Sequence, residues 1–180
     1  MKKAVFLDRD GVIIEEREYA HKIEDCVLLP NSTKGLKLLK DFKLIIVTNQ
    51  SGIGKKIFSE KNYHEFNKHL LKELKKEKIS IARSYFCPHD ADKGCLCRKP
   101  KTKFLKDAKK EFNIDLKNSY MIGDKKSDVD FGKNGGLTTI HVLTGYGKKF
   151  KDTVNPDFVA HDLLDAARWI LRRENENKKI

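Results

Sequence analysis

Short unbroken apolar runs, each ended abruptly by polar residues, punctuate this chain. Ala4-Val5-Phe6-Leu7 stops at Asp8-Arg9-Asp10-Gly11, Leu44-Ile45-Ile46-Val47 at Thr48-Asn49-Gln50, and Tyr120-Met121-Ile122 at Gly123-Asp124. Runs of this length with no alternation suit strands covered on both faces, as in a parallel sheet. Residues 81–86 and 139–143 predict two weaker strands. Between the runs the spacing becomes helical. Leu36, Leu38 and Leu39 predict a helix starting at Asn31 or Ser32, either of which can cap it. Ser59 predicts the cap of a longer helix, whose Tyr63, Phe66, Leu70 and Leu74 share one face. Phe104, Leu105, Ala108 and Phe112 mark a third. Ser127 predicts the cap of a fourth, stopped by Gly135-Gly136. Leu163, Leu164, Ala167, Ile170 and Leu171 mark the last, with residues 172–180 expected to fray.

Strands alternating with helices predict an α/β fold: a doubly wound, mainly parallel, Rossmann-like sheet. No repeat, linker or low-complexity tract interrupts it, so residues 1–180 are expected to form a single domain.

Composition changes this picture little. A hydrophobic fraction of 39% over 180 residues is enough for one packed interior. No apolar run approaches the roughly 18 residues of a membrane span, and the opening stretch is too short for a secretory signal. The expectation is a monomeric cytoplasmic protein with no membrane partner. A formal net charge of +12 raises the question of nucleic acid. Much of the excess lies on lysine-rich faces such as residues 68–78, where Glu73 and Glu77 are interspersed and no aromatic side chain offers a base a stacking platform. No nucleic-acid partner is expected. The lysines read as solvated surface that can also steer an anionic substrate.

The chemistry-bearing residues sit where the apolar runs end. Carboxyl ends of parallel strands share one crevice, so Asp8 and Asp10, Thr48, Asp124 and Asp128 are expected to converge there. Clustered carboxylates raise one another's pKa unless a cation neutralises them, and hard oxygen ligands with room for water suit Mg²⁺. Mg²⁺ binds phosphate oxygens, and Thr48 can donate to the same group. Asp8 can then attack phosphorus and Asp10 can exchange a proton with the leaving oxygen. A lysine must offset the crowded charge; Lys99 and Lys125 are the candidates.

A second constellation is compressed into residues 87–97. Cys87, His89, Cys95 and Cys97 supply three thiolates and one imidazole, a complete set for a structural tetrahedral Zn²⁺. A disulfide would leave one cysteine over and give His89 no part. The loop runs into Arg98-Lys99-Pro100, so a metal clip would steady two basic groups beside the crevice. Cys26 reads as an ordinary half-buried thiol.

Taken in order, Asp8-x-Asp10-Gly11, the strand to Thr48, Lys99 and Gly123-Asp124-x-x-x-Asp128 resemble the haloacid-dehalogenase-like superfamily of aspartyl phosphatases over nearly the whole chain. The resemblance implies Asp8 as nucleophile and Asp10 as general acid/base. It implies Mg²⁺ held by Asp8, the backbone carbonyl of Asp10 and Asp124, with Asp128 further out or capping a helix. The interval between Asp10 and Thr48 leaves no space for a cap domain. The zinc loop followed by Arg98-Lys99-Pro100 resembles the capless branch that contains the heptose-bisphosphate and histidinol-phosphate phosphatases.

Phe6-Leu7-Asp8-Arg9-Asp10-Gly11, Tyr19 with His21, Thr48-Asn49-Gln50-Ser51-Gly52-Ile53, Gly123-Asp124-Lys125 and Thr144-Gly145 look more like the heptose family, in which the substrate is a sugar bisphosphate. By that likeness Thr48 and Lys99 hold the transferring phosphoryl group with Lys125 beside it. Arg98 recognises the distal phosphate or sugar, and Glu16, Arg17, Glu18, Tyr19, Asn49, Gln50 and Ser51 line the substrate site. Gly54-Lys55 and the Glu16-Arg17-Glu18-Tyr19 loop depart from the heptose pattern. The alternatives are a histidinol-phosphate phosphatase, a nucleic-acid 3′-phosphatase, and a non-catalytic zinc-stabilised interaction module.

Overall fold

A computed structural model describes residues 1–177. In chain order its elements are β1 (Ala4–Leu7), α1 (Ser32–Leu38), β2 (Lys43–Asn49), α2 (Ser51–Gly54), α3 (Glu60–Lys76), β3 (Ile81–Cys87), α4 (Lys103–Phe112), β4 (Tyr120–Gly123), α5 (Lys126–Asn134), β5 (Thr138–Val142), α6 (Gly147–Phe150), β6 (Phe158–Ala160) and α7 (Leu163–Asn177). The six strands form one sheet in the order β3-β2-β1-β4-β5-β6, and every neighbouring pair is parallel.

The unbroken apolar runs are explained by a core on each side. Alternate residues of a strand point to opposite faces. Val5 and Leu7 enter one core with Phe66, Leu70, Leu74, Leu163 and Ile170, from α3 and α7. Ala4 and Phe6 enter the other with Phe104, Leu105, Ala108 and Phe131, from α4 and α5. A strand covered twice carries few polar residues until it leaves the sheet, β5 with its buried Thr139 and His141 being the exception, which is why the polar residues crowd the ends of β1, β2 and β4.

The chain runs outward from β1 through β2 to β3, then returns to place β4 on the other side of β1. That reversal is a topological switch point, where an open α/β sheet leaves a crevice beyond its strand ends. The Asp8 N–H donates to the Ile122 carbonyl at 3.0 Å, tying the exit of β1 to β4.

Three local expectations need correction, and one element was not foreseen. Residues 172–177 continue α7 as regular helix; residues 178–180 lie outside the described part. Glu174, only 8% exposed, accepts from Lys3 Nζ at 2.5 Å and from Tyr120 Oη at 2.7 Å, so a charged-looking tail carries one inward position. Ser127 does not cap α5: Lys125 holds the cap position, and its N–H donates to Asp128 at 3.0 Å. Asn31 holds the N-cap position of α1 as expected, but in a left-handed conformation with no side-chain cap bond, its amide donating instead to Asp162. β6 was not foreseen, being too short to show a pattern.

Candidate active site

Asp8, Thr48 and Asp124 all lie at or just beyond the ends of β1, β2 and β4, and all are buried. Lys99 arrives from the loop after β3 and runs beneath them. Its Nζ lies 2.9 Å from Asp8 Oδ1 and 2.7 Å from Asp128 Oδ1, and donates to the Val47 carbonyl at 2.6 Å. Asn49 secures that loop: Lys99 N–H donates to Asn49 Oδ1 at 3.0 Å, and Asn49 Nδ2 donates back to the Lys99 carbonyl at 3.3 Å. A residue expected to touch substrate thus also clamps the backbone of the central lysine.

Asp8, Asp124 and Asp128 each bring an oxygen within 4.8 Å of the others. Burial would raise Asp8, but the charges of Lys99 and Lys125 outweigh it and hold the carboxyl below its usual range. Asp124 feels the charge of Lys125 but not that of Lys99, and the pull is too weak to offset its surroundings. Burial, then the charge of Asp8, push it up to about 8. Burial likewise raises Asp128 against the pull of Lys99, while Lys99 itself, despite burial, is raised by Asp128 and Asp8.

Asp124 Oδ2 accepts the Tyr146 N–H at 2.8 Å, but its buried Oδ1 has no hydrogen-bond partner among the described residues. Gly11 and Gly145, both at positive φ, close around this carboxyl so tightly that a Cβ on either would lie 2.3 Å from Asp124 Oδ2. A strongly acidic cluster with an orphaned buried oxygen fits a hard divalent cation.

Beside Asp10 opens a polar pocket of about 210 Å³. Glu16, Arg17, Glu18, Tyr19, Asn49, Gln50, Ser51 and Lys125, all expected at the substrate site, line it together with Asp10. Lys125 Nζ is 2.7 Å from Glu16 and 4.9 Å from the centre of the Tyr146 ring; burial raises Glu16 despite that pairing. Arg98 is not in the lining and donates to the His89 carbonyl at 3.3 Å. Arg9 and Tyr146 line the pocket too, and the sequence reading missed both. An arginine placed between two carboxylates, at the exit of a strand buried on both faces, was the available signal for Arg9.

The residues from 87 to 97 close on themselves as the spacing predicts. Cys87 Sγ lies 3.5 Å from Cys95 Sγ and 3.2 Å from Cys97 Sγ, with His89 Nδ1 3.3 Å from Cys97 Sγ. Zn–S bonds of about 2.3 Å in a tetrahedron place sulfurs roughly 3.8 Å apart, close to this packing, so the donor set fits zinc. α2 leans on the loop at Gly54, where a Cβ would meet the Asp90 nitrogen at 2.5 Å.

A family model described as HAD-hydrolase-like matches residues 96–166. A Photorhabdus laumondii protein named D-glycero-alpha-D-manno-heptose-1,7-bisphosphate 7-phosphatase is 40% identical over 144 residues, covering 75% of this chain and 79% of that protein. A Pasteurella multocida protein named for the beta anomer is 39% identical over 179 residues, covering 94% and 97%. The crystal structure of D,D-heptose 1,7-bisphosphate phosphatase from B. bronchiseptica, complexed with magnesium and phosphate, matches with a TM-score of 0.89 at 26% identity, over 95% of this chain and 99% of that one. Sheet order, acid cluster and relatives agree, and the chain belongs to the haloacid-dehalogenase-like phosphatases, in the family of the D-glycero-D-manno-heptose-1,7-bisphosphate 7-phosphatases.

Proposed function

We propose that this chain removes the 7-phosphate of D-glycero-D-manno-heptose 1,7-bisphosphate through a phosphorylated Asp8. The observation that carries the chemistry is the Lys99 ammonium within ion-pair distance of Asp8 at the mouth of a buried acid cluster. Asp8 Oδ1 is anchored by Lys99 and by the Arg9 N–H at 2.8 Å, which leaves Oδ2 for phosphorus. Its lowered pKa keeps the nucleophile ionised at neutral pH.

In the first half-reaction Asp8 bonds to phosphorus, the ester P–O bond breaks, and Asp10 gives its proton to the departing sugar oxygen. In the second, Asp10 takes a proton from water as that water attacks phosphorus, the P–O bond to Asp8 breaks, and phosphate leaves. Thr48 and Lys99 hold the transferring group, with Lys125 beside it.

Asp8, Asp124 and the Asp10 carbonyl would hold Mg²⁺, with Asp128 adjacent; when bound, it offsets the acids' repulsion and stabilises charge on the phosphoryl oxygens. Cys87, His89, Cys95 and Cys97 would hold a structural Zn²⁺. The pocket offers carboxylates at Glu16 and Glu18 for sugar hydroxyls and cations at Arg17 and Lys125 for phosphate; Arg98, outside the lining, would have to leave the His89 carbonyl to reach the distal group.

The relatives' names favour the heptose over histidinol phosphate. One sheet carries both the acid cluster and the zinc loop, which supports reading the chain as a single domain. Among the described residues no helix is long and apolar enough to cross a membrane.

The test is phosphate release from heptose bisphosphate, histidinol phosphate and a 3′-phosphorylated oligonucleotide, for wild type and Asp8→Asn. The heptose ester should have the highest kcat/KM, and Asp8→Asn should release phosphate from none. Ordinary turnover by Asp8→Asn refutes the chemistry, and a higher kcat/KM for either other ester refutes the substrate.

A further inference from the structure

Asp10 stands outside the acid cluster around Asp8, and its carboxylate is gripped by two pocket-lining side chains to which no step of the reaction has been given. Arg9 is 1% exposed. Its Nε donates to both Asp10 oxygens at 3.1 Å and its Nη2 to Oδ1 at 2.8 Å. Nη2 also donates to the Ala20 carbonyl at 3.1 Å and to Gln50 Oε1 at 3.3 Å. The guanidinium carbon lies 4.5 Å from the centre of the Phe66 ring, so the planar group is held from its face as well as its edge.

Gln50 completes the grip. Its Nε2 donates one hydrogen to Asp10 Oδ2 at 3.0 Å and the other to Thr48 Oγ1 at 2.8 Å. Both amide hydrogens and the amide oxygen are therefore committed, and flipping the amide would set its oxygen against the Asp10 carboxylate. Because the Thr48 oxygen accepts from Gln50, the Thr48 hydroxyl hydrogen remains free to donate to a phosphoryl oxygen. With its side chain turned inward, Gln50 is 5% exposed.

We infer that Arg9 and Gln50 are positioning residues that fix the Asp10 carboxyl, and through Gln50 the Thr48 hydroxyl, at the pocket floor for proton transfer. The inference rests on the reading of Asp10 as the proton donor to the leaving oxygen. A carboxylate on a loop beyond a strand end samples several rotamers, and general acid catalysis requires the one that reaches the leaving oxygen. A bidentate guanidinium and a committed amide select that rotamer; both line the pocket, but their hydrogen bonds are made to Asp10, Thr48 and the backbone.

The experiment is a double-mutant cycle on the holoenzyme, measured as single-turnover release of phosphate from the sugar bisphosphate. Gln50→Leu and Arg9→Lys should each lower the rate about tenfold or more, a part of the 10²–10⁴ that general acid catalysis supplies. The half-saturating substrate concentration should stay within about twofold.

In an Asp10→Asn background most of the Gln50→Leu loss, and all but about twofold of the Arg9→Lys loss, should vanish, because both act through Asp10. Equal losses in both backgrounds would overturn the inference, as would a raised half-saturating concentration with an unchanged rate, which marks a substrate contact. Should Gln50→Leu melt early, Gln50→Glu decides. It keeps the shape and the acceptor facing Arg9 but removes both donors, so a wild-type rate there refutes the brace. If Asp10→Asn alone loses nothing, the parent reading of Asp10 has failed; if it loses and the brace variants do not, only the brace has.

Discussion

Replacing Lys99 by Met keeps an unbranched side chain of similar length and removes one charge. The Lys99 side chain is 1% exposed and lies against Asp8 and Asp128, themselves 6% and 1% exposed. Breaking a buried pair by deleting one partner costs about 3–5 kcal/mol, which for a domain of this size is a fall in Tm of roughly 6–20 °C. The pH dependence separates charge from packing. In the wild type Asp8 is held below the ordinary aspartate value of 3.8, so its contribution to stability is present above that value and is lost as pH falls through the folded pKa.

Without Lys99 only Lys125 opposes the burial of Asp8, and Asp128 loses its main opposing cation, so both carboxyls move up and the variant holds less of that stability as pH rises. The gap between the two proteins must therefore widen from about pH 5 to about pH 8. Urea denaturation in Mg²⁺-free buffer lacking chelators, which would strip the zinc loop, measures it. A gap that does not change with pH refutes the reasoning and makes Lys99 a packing residue.

Mg²⁺ should bind with an affinity that rises with pH. Asp124 is pushed up to about 8 from 3.8, so folding takes up a proton there between those values. Metal-free stability then falls with rising pH through that window, and the ion must displace the proton. Mg²⁺ at 100 times its Kd should add about 2.7 kcal/mol, and calorimetry at several pH values checks the trend. Cys95→Ser should cut bound zinc from one ion per chain to near none by metal analysis and expose the 87–97 loop to protease, while the sheet persists by circular dichroism. Glu174→Ala leaves the Tyr120 hydroxyl and Lys3 without their acceptor and should cost about 1–3 kcal/mol by urea denaturation; no change would mean that the end of α7 adds nothing to stability. Gly145→Ala puts a Cβ against Asp124 at a φ of +55° and should weaken Mg²⁺ binding by at least about tenfold, read by titration calorimetry.

Much of this protein was legible in one dimension because its strands are buried on both faces. Such strands carry few polar residues, so Asp8, Thr48 and Asp124 stand out at their ends, and the common crevice of a parallel sheet brings them together. The Cys87, His89, Cys95 and Cys97 cluster was equally legible, since four donors within one short loop need no tertiary partner to meet.

What the folded chain alone decided is which neighbour each polar group takes. Nothing in the residue order separates Asp8, paired with Lys99, from Asp10, paired with Arg9 and Gln50. The difference comes from loops after β1, β2 and β3 that approach from separate parts of the chain. The inward Glu174 was hidden in the same way, because its partners Lys3 and Tyr120 lie far away in sequence and only packing brings them within hydrogen-bond reach. Periodicity reports burial, which is a property of one element, whereas pairing and pKa depend on what other elements bring within a few ångströms.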